Sequence, residues 1–248
     1  LRHEDTQIEY KIAEKITYQG FSNLEPFQRM EVIGDIFNQV PDTDISNFFL
    51  LKSPDLKTWL RQIQTFSISA AMTSTIGYVI GLGDRHPSNL LIDSVSGKVV
   101  HIDFGDCFEK AEKRKEFPEV VPFRLTRHMV NALGPPGVNG EFRSSFISMA
   151  NVLRENYQTL IMVLAIFVQE PLFDPDEENE QMNLNLVSRT QNLMLSIEQF
   201  DINNNDESVS ANVEITKRVR EKLTGTDFNT PKPLTTEEQF EILIEKAT

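Results

Sequence analysis

The feature that most constrains the fold is a pair of short β-type runs in an otherwise helical sequence. Residues 90–93 and 99–103 are rich in the branched apolar side chains that strands favour. Residues 94–98 between them are mostly small or polar and include Gly97, which is a turn signal. The sequence therefore predicts a single β-hairpin within a helical domain.

Outside the hairpin, apolar residues recur at the spacing of amphipathic helices. Residues 160–168 are almost wholly apolar, which predicts a buried helix. Ser53 and Pro54 are expected to be the N-cap and first residue of a long helix that ends near Val79. The predicted class is mainly α with a small β-hairpin (α+β). The predicted helices cover residues 8–16, 27–37, 45–51, 54–79, 125–133, 142–153, 160–168, 213–223 and 237–246.

Residues 174–210 differ from the rest of the chain because they are acidic and rich in Asn. Such a segment offers little apolar area to offset the entropy of ordering. We expect a flexible insert there, with a weak helix around residues 184–197.

Composition excludes several classes of protein. The formal net charge of −13 argues against a nucleic-acid binder, which needs a basic surface. No apolar run approaches the roughly 18 residues of a membrane span, so no transmembrane segment is expected. The single Cys107 suits a reducing compartment. The sequence thus predicts a soluble cytosolic or nuclear protein, and the absence of an initiator Met predicts a fragment of a longer chain.

The chemistry-bearing residues lie at one end of the predicted hairpin. Pairing Ile92 with Val99 places Asn89 opposite Ile102, so Asn89 and Asp103 meet at that end. Amide and carboxylate oxygens are hard ligands that suit Mg²⁺. Asp84 lies five residues before Asn89, in a loop that begins with Gly83. Two carboxylates and an amide arranged in this way are the set that phosphoryl transfer uses.

Two further side chains, Leu91 and Ile102, share one face of the hairpin and are placed to support a nucleotide base. Each motif alone has a simpler interpretation, since Asp-Phe-Gly is often a turn and Asp-Arg-His a surface loop. Their spacing across a hairpin makes chance a weak explanation. Cys107 has no evident base partner and is interpreted as a buried thiol. The residues interpreted as structural are Arg85, His3, His101 and His128.

The order Asp84-Arg85-His86, reversed from the His-Arg-Asp of ordinary protein kinases, resembles the phosphatidylinositol-3-kinase-related superfamily. Within it, the motifs are similar to those of the target-of-rapamycin (TOR) protein kinases. The resemblance covers almost the whole chain, and only residues 174–210 depart, as that family's variable insert does. The matching segments are residues 50–54 with Trp59, 81–90, 101–109, 122–127 and 218–228.

The resemblance implies a role for each site residue. Asp84 would orient the substrate hydroxyl or accept its proton, and His86 would face the γ-phosphate of ATP. Asn89 and Asp103 would hold Mg²⁺, or Mn²⁺ in its place. The residues that would contact adenine are Leu91 and Ile102.

The resemblance also implies a domain organisation. Residues 1–173 would be a kinase C-lobe of the PI3K/PI4K type, with a catalytic loop at 83–90 and an activation loop at 103–123. Residues 174–210 would be the insert, and residues 211–248 would be helices leading into a truncated FATC domain. Residues 1–248 do not include the glycine-rich loop or the nucleotide-binding Lys that the resemblance implies for an N-lobe. The isolated chain is therefore expected to bind ATP poorly and to be inactive.

The function implied is that of a non-specific serine/threonine protein kinase in growth and nutrient signalling. Its partners would be protein substrates, ATP, a WD-repeat subunit docked near residues 8–39 and the scaffold subunits of a TOR complex. It would lie in the cytoplasm, at the periphery of endomembranes or in the nucleus.

Two alternatives to a protein kinase stay open at this point. A lipid kinase of the same superfamily would use a basic cluster in the activation loop, and one is present, although acidic residues interleave with it. The basic residues are Lys110, Lys113, Arg114 and Lys115, and the acidic ones are Glu109, Glu112, Glu116 and Glu119. The second alternative is an inactive kinase fragment or scaffold.

Overall fold

The computed structural model describes residues 24–115, 118–169, 207–228 and 230–248. In these residues the chain is mostly helical and has one two-stranded antiparallel sheet, β1 (Leu90–Ile92) and β2 (Val99–His101). The predicted class, mainly α with a small β-hairpin, is confirmed. The helices are α1 (Pro26–Gln39), α2 (Asp44–Lys52), α3 (Leu56–Ile80), α4 (Arg127–Ala132), α5 (Glu141–Glu155), α6 (Tyr157–Gln169), α7 (Glu207–Thr224) and α8 (Thr236–Ala247).

The long helix α3 forms the centre of the core. Its small residues Ala70 and Ala71 are fully buried, which lets neighbouring helices approach closely. Phe146 of α5 is also buried, and its ring lies 5.2 Å from that of Phe240 in α8. Helix α3 packs against α5 and β2, so it positions the elements that follow it.

Two hydrogen bonds and one close backbone approach fix the hairpin to α3. The N–H of Val99 donates to Oγ of Ser69 (2.9 Å), and Nε2 of Gln62 donates to the carbonyl of Val95 (3.0 Å). Gly97 has φ +78°, and a Cβ there would lie 2.7 Å from the carbonyl oxygen of Gln62. Only glycine fits this close approach, which sets the hairpin against the helix.

The predicted register of the hairpin is confirmed. The N–H of Ile102 donates to the carbonyl of Asn89 (3.1 Å), which extends the ladder to the end where the site residues lie. The paired residues are Leu90 with His101, Leu91 with Val100 and Ile92 with Val99.

The start of α3 differs from the expectation. Asp55, rather than Ser53, is the N-cap, and its carboxylate accepts from the N–H of Thr58 (2.7 Å). Oγ of Ser53 instead donates to the carbonyl of Phe49 at the end of α2 (2.7 Å). Ser53 and Asp55 both have capping side chains, but the Ser53 hydroxyl is engaged by Phe49 at the end of α2 and by Gln62 of α3.

Helix α6 was predicted to be buried, but it is only partly buried. Ile161 packs against Val219 of α7, but the side chains of Val163 and Phe167 are 62% and 70% exposed. Residues 160–168 are apolar all round, and within the described part of the chain one side of the helix meets the core. The predicted insert also ends too late, because Glu207 already begins α7. The rest of that insert and the predicted helix at residues 8–16 lie outside the described residues.

The described helices include none that is both long and apolar enough to cross a membrane.

Candidate active site

The loop that leaves α3 is bonded to the start of the predicted activation loop. Gly81, at φ 60°, ends the helix, and its carbonyl accepts from the N–H of Glu109 (3.0 Å). The N–H of Gly83 donates to the carbonyl of Asp106 (2.8 Å), and a Cβ at Gly83 would lie 2.3 Å from Cβ of Ala111. The two loops are therefore in backbone contact, and Gly83 is required for their close approach.

Asp84 adopts a left-handed backbone with φ 59°. Such a conformation costs an ordinary side chain about 1–3 kcal/mol and persists only where its surroundings hold it. Here Oε2 of Glu119 accepts from the N–H of Asp84 (2.9 Å), and Nδ2 of Asn89 donates to its carbonyl (2.9 Å). The main chain of Asp84 is fixed on both sides, while its side chain is partly exposed.

Asp103 has the same left-handed conformation, with φ 59°. Its Oδ1 accepts from the N–H of Gly105 (3.1 Å), and the residue is exposed. The buried guanidinium of Arg85 donates to the carbonyls of Asp103, Ile102 (2.8 Å) and Gly83 (2.8 Å). Arg85 thus braces the loops that carry Asp84 and Asp103, in line with the structural role predicted for it.

Asn89 is buried at the start of β1. Because its Nδ2 donates to Asp84, its Oδ1 is the atom that can act as an oxygen ligand. The Ile102–Asn89 bond then places Asp103 at the same end of the hairpin as Asn89. The structure therefore brings Asp84, Asn89 and Asp103 together, as the sequence predicted.

His86 lies on the same loop but is exposed. Its Nδ1 accepts from the N–H of Ser88 (3.2 Å), which caps the short 3-10 turn Pro87–Asn89. This contact orients the ring. A role for it at a phosphate stays a prediction.

An exposed apolar face lies beside the polar groups. Leu91 and Ile102, predicted to share one face of the hairpin, are 46% and 40% exposed, and Val100 lies between them. Phe104, two residues after Ile102, is also exposed. The opposite face, with Val99, packs into the core. One end of the hairpin therefore presents oxygen ligands next to an open apolar surface.

The oxygen donors suit a magnesium ion. Among the described residues, no group of three His, Cys, Asp or Glu side chains is placed to hold a metal ion, so a metal site made of protein carboxylates alone is not formed there. Mg²⁺ in phosphate-transferring sites is held by one or two protein oxygens together with substrate phosphates and water. A single carboxylate with an amide oxygen, Asp103 with Asn89, fits that pattern.

Two carboxylate contacts were not predicted from the sequence. One is the bond that Oε2 of Glu119 accepts from the N–H of Asp84, and the other is the ion pair between Arg114 and Asp106. Both Glu119 and Arg114 belong to the predicted activation loop, in a run of alternating charges without periodicity. No local signal distinguishes them from their exposed neighbours.

A buried polar cluster joins the C-terminal helices to the activation loop. Lys222 of α7 is only 5% exposed, and its Nζ lies 2.6 Å from Oε1 of Glu109 and 2.9 Å from the carbonyl of Tyr78. Nε of Arg218 also donates to Glu109 (3.0 Å). Burial raises the pKa of the Glu109 carboxyl, but Lys222 and Arg218 more than offset this, so its pKa is lowered.

The same cluster extends to α8 through Tyr78. The hydroxyl of Tyr78 donates to Asp227, and Nε2 of Gln239 donates to Tyr78 (3.1 Å) and to the carbonyl of Lys222 (2.9 Å). Burial, followed by the charge of Asp227, raises the pKa of Tyr78. We call Tyr78, Glu109, Lys222, Asp227 and Gln239 the C-terminal clamp.

Two other titratable groups agree with structural roles. Burial, with a smaller contribution from Arg85, lowers the pKa of His101 to about 4, so its imidazole is neutral at pH 7. Burial raises the pKa of the Cys107 thiol, whose Sγ lies 3.1 Å from the carbonyl of Phe104. A thiol with a raised pKa is a poor nucleophile.

Comparison with known proteins places this site in a family. The family model described as phosphatidylinositol 3- and 4-kinase matches residues 10–176. The serine/threonine-protein kinase mTor of Drosophila melanogaster is 36% identical over 259 residues, which cover 92% of this chain and 10% of that protein. The serine/threonine-protein kinase TOR2 of Saccharomyces cerevisiae is 38% identical over 243 residues, with the same two coverages.

Solved structures give the same result. A structure described as a Tel1 kinase butterfly symmetric dimer has a TM-score of 0.73 and 30% identity, and the match covers 96% of this chain and 9% of that one. This chain spans about a tenth of the length of the curated relatives it matches. The resemblance to TOR kinases that the motifs predicted is confirmed. The chain belongs to the phosphatidylinositol 3- and 4-kinase family.

Proposed function

We propose that this chain supplies the catalytic and metal-binding side of a TOR-type serine/threonine protein kinase, which transfers the γ-phosphate of ATP to protein Ser or Thr. The observation that carries the proposal is the position of Asp84, Asn89 and Asp103 at one end of the hairpin. The carbonyl of Asn89 accepts from the N–H of Ile102, next to Asp103, and Nδ2 of Asn89 donates to the carbonyl of Asp84.

Each polar residue has a role that its contacts support. Asp84, fixed through its main chain and partly exposed through its side chain, orients the acceptor hydroxyl. Asn89 holds Mg²⁺, or Mn²⁺ in its place, through its amide Oδ1, and Asp103 holds it through its carboxylate. When bound, that ion neutralises charge on the phosphates. His86, on the rim of the same loop, faces the γ-phosphate.

The apolar face next to these groups suits adenine. Leu91 and Ile102 present branched side chains to solvent on one side of the hairpin, where Val100 and Phe104 extend the surface. Covering such a surface with a flat base removes apolar area from water.

A protein substrate is favoured over a lipid because the relatives from Drosophila melanogaster and Saccharomyces cerevisiae are both named serine/threonine-protein kinases. Of the basic cluster that a phosphorylated headgroup would use, Arg114 is already paired with Asp106 and lies near Glu119 and Asp84. Within the cluster, Lys110, Lys113 and Lys115 remain exposed.

The test is to incubate the full-length protein with labelled ATP, Mg²⁺ and either Ser/Thr peptides or phosphatidylinositol vesicles. We expect labelled peptide and no labelled lipid. The variant Asp84→Asn, which keeps the size of the side chain, controls for a contaminating kinase and should abolish the label. Labelled lipid without labelled peptide would replace this proposal with a lipid kinase, and no label in either would leave a scaffold.

The proposed partners follow the family resemblance. Helix α1 exposes Phe27, Met30 and Phe37, an apolar row within the segment proposed to bind a WD-repeat subunit. We propose scaffold subunits of a TOR complex as further partners and residues 211–248 as the lead into a FATC domain. The proposed location is the cytoplasm, endomembrane surfaces or the nucleus, and the proposed process is growth and nutrient signalling.

A further inference from the structure

One guanidinium of the predicted activation loop is surrounded by three carboxylates. Arg114 pairs with Asp106, and its Nη1 lies 3.9 Å from Oδ1 of Asp84 and 4.0 Å from Oε1 of Glu119. Asp106 is mostly buried, whereas the side chains of Arg114 and Asp84 are 40% and 37% exposed. Arg114 is therefore anchored at Asp106 and makes a weaker, solvent-screened contact with Asp84.

Glu119 reaches the main chain of Asp84 from the same side. Its Oε2 accepts from the N–H of Asp84 (2.9 Å), and a hydrogen bond to an ionised acceptor is stronger than a neutral one. The carbonyl of Asp84 is held by Asn89. Glu119 thus supplies one of the two bonds that keep Asp84 at φ 59°.

The backbone around Ala111 places Arg114 and Glu119 next to each other. The carbonyl of Ala111 accepts from the N–H of Arg114 (3.4 Å) and from the N–H of Glu119 (3.2 Å). Ala111 is itself buried against Gly83. Two carboxylates, Glu119 and Asp84, would repel each other in this arrangement, and the guanidinium of Arg114 offsets that repulsion.

We propose that Glu119 and Arg114 are positioning residues for Asp84. Glu119 fixes the backbone of Asp84, and Arg114 holds the two carboxylates together. The conformation of the activation loop therefore sets the geometry of the group that orients the acceptor hydroxyl. The role of Asp84 in this inference rests on the proposed kinase function. The placement of Asp84 by Glu119 and Arg114 rests on the contacts alone.

The first test does not depend on activity. Amide hydrogen exchange at Asp84 is measured in the wild type, Glu119→Ala and Glu119→Gln. Loss of the carboxylate should speed exchange at Asp84 at least about tenfold, the factor expected for one lost hydrogen bond, while Gln retains an acceptor oxygen and should restore protection. Glu112→Ala, at an exposed glutamate of the same loop, should leave the rate unchanged. Equal rates in the wild type and Glu119→Ala would overturn the proposal.

The second test is kinetic and uses the full-length protein. Glu119→Ala should lower kcat about 10- to 100-fold, because small misplacements of a positioned group have effects of that size, while KM for ATP stays within about twofold. Glu119→Gln should recover most of kcat, and Arg114→Ala should lower it less than Glu119→Ala. A loss of thermal stability without this split, or an unchanged kcat, would contradict a positioning role.

The two proposals fail in different ways. A wild-type protein that phosphorylates no substrate, yet shows the expected exchange at Asp84, would remove the kinase function and keep the placement of Asp84 by Glu119. An active wild type whose Glu119→Ala variant has unchanged exchange and unchanged kcat would remove the positioning proposal and keep the kinase.

Discussion

The end of the hairpin and the C-terminal clamp both contain carboxylates, but the carboxylates have different roles in the two regions. In the clamp, Lys222 and Glu109 are paired with each other and shielded from water. At the hairpin, the side chain of Asp84 is partly exposed and Asp103 is exposed, so both carboxylates can reach a ligand. Breaking a buried pair leaves a charge without compensation and costs stability, whereas changing an exposed carboxylate costs little stability.

The largest effect should follow from changing the exposed carboxylates. Asp84→Ala or Asp103→Ala should lower phosphoryl transfer by at least about 10³-fold, because each removes a positioning or metal-binding group. Steady-state assays of the full-length protein, with urea unfolding in parallel, measure both sides of the comparison. Asp84→Asn should lose activity with a free energy of unfolding within about 0.5 kcal/mol of the wild type, the usual range for surface changes. Near-normal turnover in either Ala variant would contradict the site.

Changing the buried pair of the clamp should instead cause a large loss of stability. Lys222→Met leaves the Glu109 carboxylate with Arg218 as its remaining partner, and we expect a free energy of unfolding lower by about 3 kcal/mol in urea titrations, at the low end for breaking a buried pair. The double variant Glu109→Leu/Lys222→Met should recover much of this loss.

The matched control is an exposed ion pair between α5 and α8. Glu241→Gln removes the partner of Arg143, and we expect a cost of about 0.2–1 kcal/mol. If Lys222→Met costs no more than Glu241→Gln, the clamp does not stabilise the chain in the way the contacts indicate.

A smaller effect is expected from His101, at the end of β2. Its pKa is lowered from 6.5 to about 4 in the folded chain, so between these pH values the unfolded state binds a proton that the folded state does not. The free energy of unfolding should therefore fall as pH falls from 6.5 to about 4. His101→Gln should lack this component in pH-dependent unfolding curves. Identical curves for the two proteins would show that His101 titrates normally.

Local patterns predicted much of this molecule, because helices and hairpins follow from short-range spacing. The register of β1 and β2, and with it the meeting of Asn89 and Asp103, followed from counting residues across a turn. The N-cap of α3 did not, because Ser53 and Asp55 can both cap, and residue types do not show that the Ser53 hydroxyl is engaged by Phe49 and Gln62 instead. The prediction that α6 is buried was wrong for a similar reason. An all-apolar helix does not show how many of its sides contact other elements.

The contacts around Asp84 were beyond sequence reasoning. Glu119 lies 35 residues from Asp84, in a segment without helical or strand periodicity. Its bond depends on a left-handed backbone at Asp84 and on the close approach that Gly83 permits. Neither property is visible in residue types alone.

The central claim is that the hairpin end, and not the clamp, holds the metal. Mn²⁺ is a paramagnetic substitute for Mg²⁺, and its addition with ATP to the isotopically labelled protein broadens the NMR signals of nearby amides. The account predicts that broadening is strongest at Asn89 and Asp103, is weaker at Lys222 and Gln239, and is lost in Asp103→Ala. Broadening centred on the clamp, or broadening at Asn89 that persists in Asp103→Ala, would contradict it.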